Sequence, residues 1–366
     1  MEKNSAEGCD VVDRRTFVKS AGAASTVGLA GCAESEETTT DEDMDNVFRA
    51  AFIYDGPVDD LGWTRGHDRG RQKLDEHDWV ETSYADEVPY GEFDQFARDF
   101  IDQGYDAIYG TTIGFMDPML QLAQEFPEIK FENAIGVQTQ EPNMSNYHGR
   151  YYQARYLEGI TAGLLSETDQ IGIVAGFPVA LVIREINALA IGAREVNPDI
   201  TVDVRYLNAW YDPPAARDGV QSMIDDGAGF ITQLTDSPAG LETADENDIW
   251  GAGIYSDMSE FGGENYVRSI IANWEEYYIP RTEEIRDGDA EVHSYWEGLE
   301  SGIIGFDEWG PNVPDDVKTQ AEDAEEELRA GERDIWAGTK FENESEDFIF
   351  SEMSSYVEGV EGTVPE

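Results

Sequence analysis

Val47-Phe48-Arg49-Ala50-Ala51-Phe52-Ile53-Tyr54 leads directly into Asp55-Gly56-Pro57-Val58-Asp59-Asp60-Leu61-Gly62-Trp63-Thr64. The first eight residues are almost wholly apolar, the pattern of a strand buried on both faces. The Asp-Gly-Pro that follows stops it, and a helix is predicted from about Gly66 to Glu76. The same unit then recurs. Strands are read at 80–84, 107–109 and 130–134, with helices at 93–103 and 117–126 between them. The helix at 93–103 carries Phe93, Phe96, Phe100 and Ile101 at helical spacing and is closed by Gly104. Alternating strands and helices mean a parallel sheet with helices on both faces.

The pattern restarts further on. Helices are read at 151–165, 180–195, 215–226 and 241–247, and strands at 170–175, 201–206, 230–233 and 250–255. A long helix is predicted over 267–286 and an acidic one over 313–332. The fold class is therefore α/β, with two doubly wound, Rossmann-like lobes. Lobe one is expected to hold 47–143 plus about 264–296, and lobe two 144–263 plus about 297–345. Residues 346–366 are expected to form a loosely held acidic tail. In such sheets a ligand sits beyond the C-terminal strand ends, and between two lobes that place is a cleft.

The composition bears on solvent and partners. The 366 residues include 78 Asp and Glu against 24 Lys and Arg, a formal net charge of −54. Nucleic acid and anionic membrane surfaces would repel such a chain. With 40% hydrophobic residues it can still build a packed core. Lysine is scarce, at Lys3, Lys19, Lys73, Lys130, Lys318 and Lys340. Acidic excess with little lysine reads as adaptation to high salt, where screening removes the self-repulsion.

Residues 1–46 read as an address. Arg14-Arg15-Thr16-Phe17-Val18-Lys19 precedes the short apolar run Ser20–Gly31. That run is too short to span a bilayer, which takes about 20 residues. It matches a twin-arginine export signal over 1–31. Leu29-Ala30-Gly31-Cys32 resembles a lipobox, so Cys32 is the expected lipid anchor, and 32–46 an acidic tether. The expected location is the outer face of the cell membrane. With Cys9 lost in the signal, an internal disulfide is impossible.

Five stretches stand at strand ends in order: Val58–Thr64, Thr112-Ile113-Gly114-Phe115-Met116-Asp117-Pro118, Asn208-Ala209-Trp210-Tyr211-Asp212-Pro213, Thr235-Asp236-Ser237, and Gly253-Ile254-Tyr255-Ser256-Asp257-Met258. Together these resemble the basic membrane protein (BMP) family of lipoproteins, the Med/PnrA-like purine receptors of ABC importers. The resemblance spans about 47–310. It implies a type I periplasmic-binding-protein fold with three crossover segments between the lobes. It also implies a purine nucleoside or nucleobase as ligand, ABC permease subunits as partners, and no catalysis.

The residues at those loops make the same chemical point. A flat heterocycle needs π-faces to stack on, worth roughly 1–3 kcal/mol per base, and acceptors for its N–H groups. Trp63, Phe115 and Trp210 are the stacking candidates, joined by Trp274. Asp60, Asp117, Asp236 and Asp257 are the acceptors. Asp60 and Asp117 precede helices and double as N-cap candidates, and Asp212 before Pro213 reads as a cap. Family members that bind nucleosides carry an Asn in the first loop and a Lys after the last cleft strand. Here Gly62-Trp63-Thr64 and Ile270-Ile271-Ala272-Asn273-Trp274 stand instead. This favours a free base, adenine-like, over a nucleoside.

Other classes have less behind them. His67, His77, His148 and His293 share no metal-ligand spacing, and no nucleophile elbow or phosphate loop follows a strand. No metal, cofactor or enzymatic activity is therefore expected; a nucleosidase is the rival enzyme reading, and a ligand-presenting sensor the rival binding role. A monomer is expected.

Overall fold

The computed structural model describes residues 47–365. The stretches read as an export signal and a tether, with Cys32, lie outside the described residues. Lobe one is built on a six-stranded sheet from β1 (Phe48–Ile53), β2 (Val80–Ala85), β3 (Ala107–Gly110), β4 (Lys130–Ala134), β5 (Met144–Gly149) and β11 (Ser294–Glu297). The order is β11-β5-β4-β3-β1-β2, and every neighbouring pair is parallel. The helices α1 (Trp63–Asp75), α2 (Phe93–Asp102), α3 (Met116–Glu125) and α8 (Glu275–Asp287) cover it.

Lobe two repeats the plan. Its sheet holds β6 (Gln170–Ala175), β7 (Thr201–Tyr206), β8 (Phe230–Leu234), β9 (Trp250–Tyr255), β10 (Tyr266–Ala272) and β12 (Ile304–Phe306), in the order β12-β10-β9-β8-β6-β7. Only the short edge strand β12 runs antiparallel to its neighbour among these described strands. Around it lie α4 (Tyr151–Leu165), α5 (Ala180–Val196), α6 (Pro213–Asp225), α7 (Ala239–Glu246) and α9 (Asp315–Arg329). The start of α6 shows the local logic. Asp212 Oδ1 accepts the Ala215 N–H at 3.0 Å, and Pro213 opens the helix with φ already suitable.

Three expectations need correction. The helix read over 267–286 is two elements. Tyr266–Ala272 is strand β10, buried throughout, and the helix starts only at Glu275. A short continuous apolar run carries no period, so strand and helix look alike in it. The lobe boundaries shift accordingly. β5 stays in the lobe-one sheet, where it pairs with β4 and β11, and its polar Ser145 and Asn146 are buried and bonded inside that lobe. β10 belongs to lobe two. The chain therefore crosses between lobes after Gly149, after Ala272 and between Glu297 and Ile304. Finally, the C-terminal segment is docked. Ile349, Met353, Val357 and Val360 are buried, and Val360 forms a bridge to Val202 of β7.

Candidate ligand-binding cleft

A cavity of about 840 Å³ opens between the lobes. Its walls come from the C-terminal ends of strands in both sheets: Asp55 after β1, Thr112 after β3, Ile135 after β4, Phe177 after β6, Trp210 after β7, Asp236 after β8 and Tyr255 at the end of β9. This is where doubly wound sheets leave room for a ligand.

Four of the eight candidate residues line it: Asp60, Trp63, Trp210 and Asp236. Asp60 is largely occupied by its own chain. Its Oδ1 accepts N–H groups from Gly62 at 2.8 Å and Arg65 at 3.0 Å, and its Oδ2 accepts from Thr64 at 3.2 Å. It is thus the cap that aims the start of α1 into the cleft. Trp63 is held by Nε1 donating to the Thr111 carbonyl at 2.7 Å. Trp210 lies against Gly176 and meets Phe177 edge-on at 5.2 Å.

Asp236 joins the lobes. Its Oδ1 accepts the Trp63 backbone N–H at 2.9 Å, and the residue lines the cavity. Ser256 donates to the Leu61 carbonyl alongside. Burial, with the Asp60 carboxylate nearby, pushes Asp236 well above the usual carboxylate range. Burial also raises Asp60 and Asp55, and Tyr90 donates to Asp55 at 3.3 Å.

The other four candidates stand elsewhere. Phe115 is fully buried in the lobe-one core, stacked on Phe93 at 4.6 Å, because the turn Ile113–Phe115 rotates it inward. Ile113 takes the cavity position instead. Asp117 is exposed in the first turn of α3. Asp257 is exposed, and the Ser259 hydroxyl together with the Ser259 N–H, which its Oδ1 accepts at 2.9 Å, holds its carboxyl below the usual range. Trp274 is fully buried one layer behind, stacked on His67 at 4.5 Å and edge-on to Trp63 at 5.6 Å.

The wall also includes Tyr90, His148, Phe177, Tyr255, Phe350 and Ser351. Tyr255 carried a signal, since it ends a strand inside a quoted stretch. Its φ of 68° is left-handed, rare for a bulky residue and typical of functional sites. His148 lies on a strand whose polar sequence hid it. Nothing local marks Phe350 or Ser351.

A family model for PnrA-like ABC transporter substrate-binding proteins, Bmp, matches residues 47–334. The chain belongs to the Bmp family. It is 41% identical, over 97% of this chain and 98% of the relative, to an ABC transporter protein of Haloferax volcanii whose name provisionally assigns it glucose binding. It is 34% identical, over 92% of this chain and 97% of the relative, to a purine-binding protein of Brucella abortus. A solute-binding protein structure from Aeropyrum pernix superposes with a TM-score of 0.70 at 15% identity, covering 82% of this chain and 95% of that one. The Bacillus halodurans activator of the comK gene does so at 0.68 and 20%, covering 80% and 98%. These structural likenesses speak to the fold, that of type I periplasmic solute-binding proteins. This Bmp protein is accordingly a substrate-binding protein of an ABC transporter, not an enzyme, with permease subunits as its partners and a small molecule as its ligand. Such proteins work outside the cell or at its membrane.

Proposed function

We propose that the cleft captures a free purine base, adenine-like in its donor pattern, for delivery to the permease. The observation that carries this reading is the lining itself. It combines aromatic faces (Trp63, Tyr90, Phe177, Trp210, Tyr255) with the carboxylates of Asp55, Asp60 and Asp236, and among the described lining residues there is no Lys, Arg, Asn or Gln. A phosphate or carboxylate ligand would meet three acids and no cation. A neutral planar ring with N–H donors gives a partner to the Asp236 oxygen that Trp63 does not bond. The aromatic faces supply stacking.

The second reading is a hexose. It is favoured by the name of the Haloferax relative, and tryptophan faces also suit sugar rings. A hexose, however, presents several hydroxyls around its ring, whereas the acids Asp55, Asp60 and Asp236 gather acceptors on one side of the cavity wall and leave donation to scattered groups such as Thr64, Tyr211, Tyr255 and Ser351.

Titration calorimetry at molar salt with adenine, hypoxanthine, guanine, adenosine and glucose separates these readings. Adenine binding more tightly than adenosine and glucose is expected. Glucose binding with all purines silent would overturn the purine reading. The capture mechanism is closure: the ligand raises the population of the joined-lobe form that the permease recognises. Presentation to a receptor instead of a permease uses the same closed form. Export by the twin-arginine route, anchoring by lipid at Cys32, a monomeric state and a high-salt habitat belong to the same proposal. Metabolic labelling with a fatty acid, lost in Cys32→Ser, tests the anchor.

A further inference from the structure

We propose that the C-terminal segment 345–361, which lies beyond the span matched by the family model, is a strap that closes one wall of the cavity, and that its Ser351, which lines the same cavity as His148 of lobe one, completes with it a polar subsite contacting the bound molecule. The proposal rests on the cleft being the ligand site and not on the ligand being a purine.

The strap is built in. Asn187 on α5 donates to the Ser355 carbonyl at 3.0 Å and accepts the Val357 N–H at 2.9 Å. Val202 and the strap exchange backbone bonds, Val202 N–H to Gly359 at 2.8 Å and Glu361 N–H to Val202 at 2.9 Å. Arg184, fully buried, donates to the Phe350 carbonyl. These bonds fix the strap to lobe two and present Phe350 and Ser351 to the cavity.

From there it reaches lobe one. The Phe350 ring lies 4.9 Å from Trp296 on β11 and 6.4 Å from His148 on β5. Arg150, at the first crossover, donates to Glu346 at 3.4 Å. His148 is 2% exposed, borders the cavity, and has no protein partner for either ring nitrogen among the described residues. A buried imidazole without partners is costly unless something in the cavity hydrogen-bonds it. Burial and the neighbouring Arg184 hold His148 well below its ordinary pKa, so the ring is neutral, one donor and one acceptor. The two ring nitrogens diverge, so a ligand edge meets one of them; the matching chemistry is a neutral edge with one polar group for His148 and a second for the Ser351 hydroxyl, bound between residues of both lobes.

The test uses the full chain at molar salt, with adenine, adenosine and glucose as probes in calorimetry. Ser351→Trp fills the wall from an exposed position, and His148→Phe keeps bulk while removing both nitrogens. Each is expected to weaken the probe that wild type binds by about tenfold or more, with Tm unchanged. Wild-type-like affinity, within about twofold, in both variants would overturn the subsite. If glucose binds and adenine does not, the purine reading fails while the same variants still judge the strap. Independently of any ligand, hydrogen exchange must show the Val357 and Glu361 amides as protected as those of α5. Exchange at open-chain rates would overturn the strap.

Discussion

At Gly62 the backbones of the two lobes approach closely beside the cleft. A Cβ there would stand 2.4 Å from the Asp236 Cα. Gly62→Ala is therefore expected to hold the first loop off the second, weakening ligand affinity about tenfold while leaving the melting temperature nearly unchanged. Asp117→Ala is expected to leave affinity within about twofold of wild type, because that carboxylate is exposed on α3 away from the lining. Calorimetry on both variants checks the pair. The contrast shows how far the site was legible. That a residue follows a strand can be read along the chain, and so Asp60, Trp63, Trp210 and Asp236 were within reach. Which way a side chain then points depends on single steps of backbone. One short turn sends Phe115 into the core and Ile113 into the cavity.

Between elements, α4 packs closely on α5, backbone against backbone at two glycines. A Cβ at Gly159 would meet the Leu189 carbonyl oxygen at 2.2 Å, and one at Gly192 the Tyr156 carbonyl oxygen at 2.0 Å. Backbone cannot yield as a side-chain tip does, so Gly192→Ala should cost about 1–3 kcal/mol or more by denaturant melts. At β10, a pH effect is built in. Asp307, beside β12, accepts the Ser269 N–H at 2.6 Å and the Tyr266 hydroxyl, and burial pushes it up to about 6 from 3.8. The folded form therefore holds this proton more tightly than the unfolded chain. Its contribution is present below about pH 4 and is lost as pH rises through about 6. In Asp307→Asn, the Tm difference from wild type should change across that window; a constant difference would contradict the assignment. Strand β10 itself escaped reading as a strand, since Val267, Ile270 and Ile271 are apolar without a period, whereas α2 announced itself by its spacing.

The −54 charge concerns the molecule as a body in its solvent. Its rare arginines are spent partly inside. Arg155 pairs with Glu158 at 2.8 Å and Glu185 at 3.3 Å, and Arg281 with Glu132 at 2.8 Å. Surface repulsion is screened by salt, and buried pairs far less so. The melting temperature should climb steeply from about 0.2 M to 2 M KCl, where the Debye length falls toward about 3 Å and below. Arg155→Met should lose about 3–5 kcal/mol at every salt concentration, since it leaves two buried carboxylates unpaired. A flat salt profile would argue against the high-salt reading. From the sequence alone came the two parallel sheets, the order of their strand-end loops and the acidic surface, because burial on both faces of a strand and helical spacing are written in neighbouring residues. The tertiary structure alone decided where the chain crosses between lobes, which side chains meet in the cleft, and that the C-terminal segment walls it. Those contacts join residues far apart, Trp63 to Asp236 across 173 positions, and no local pattern of apolar and polar residues records a partner that only folding brings near.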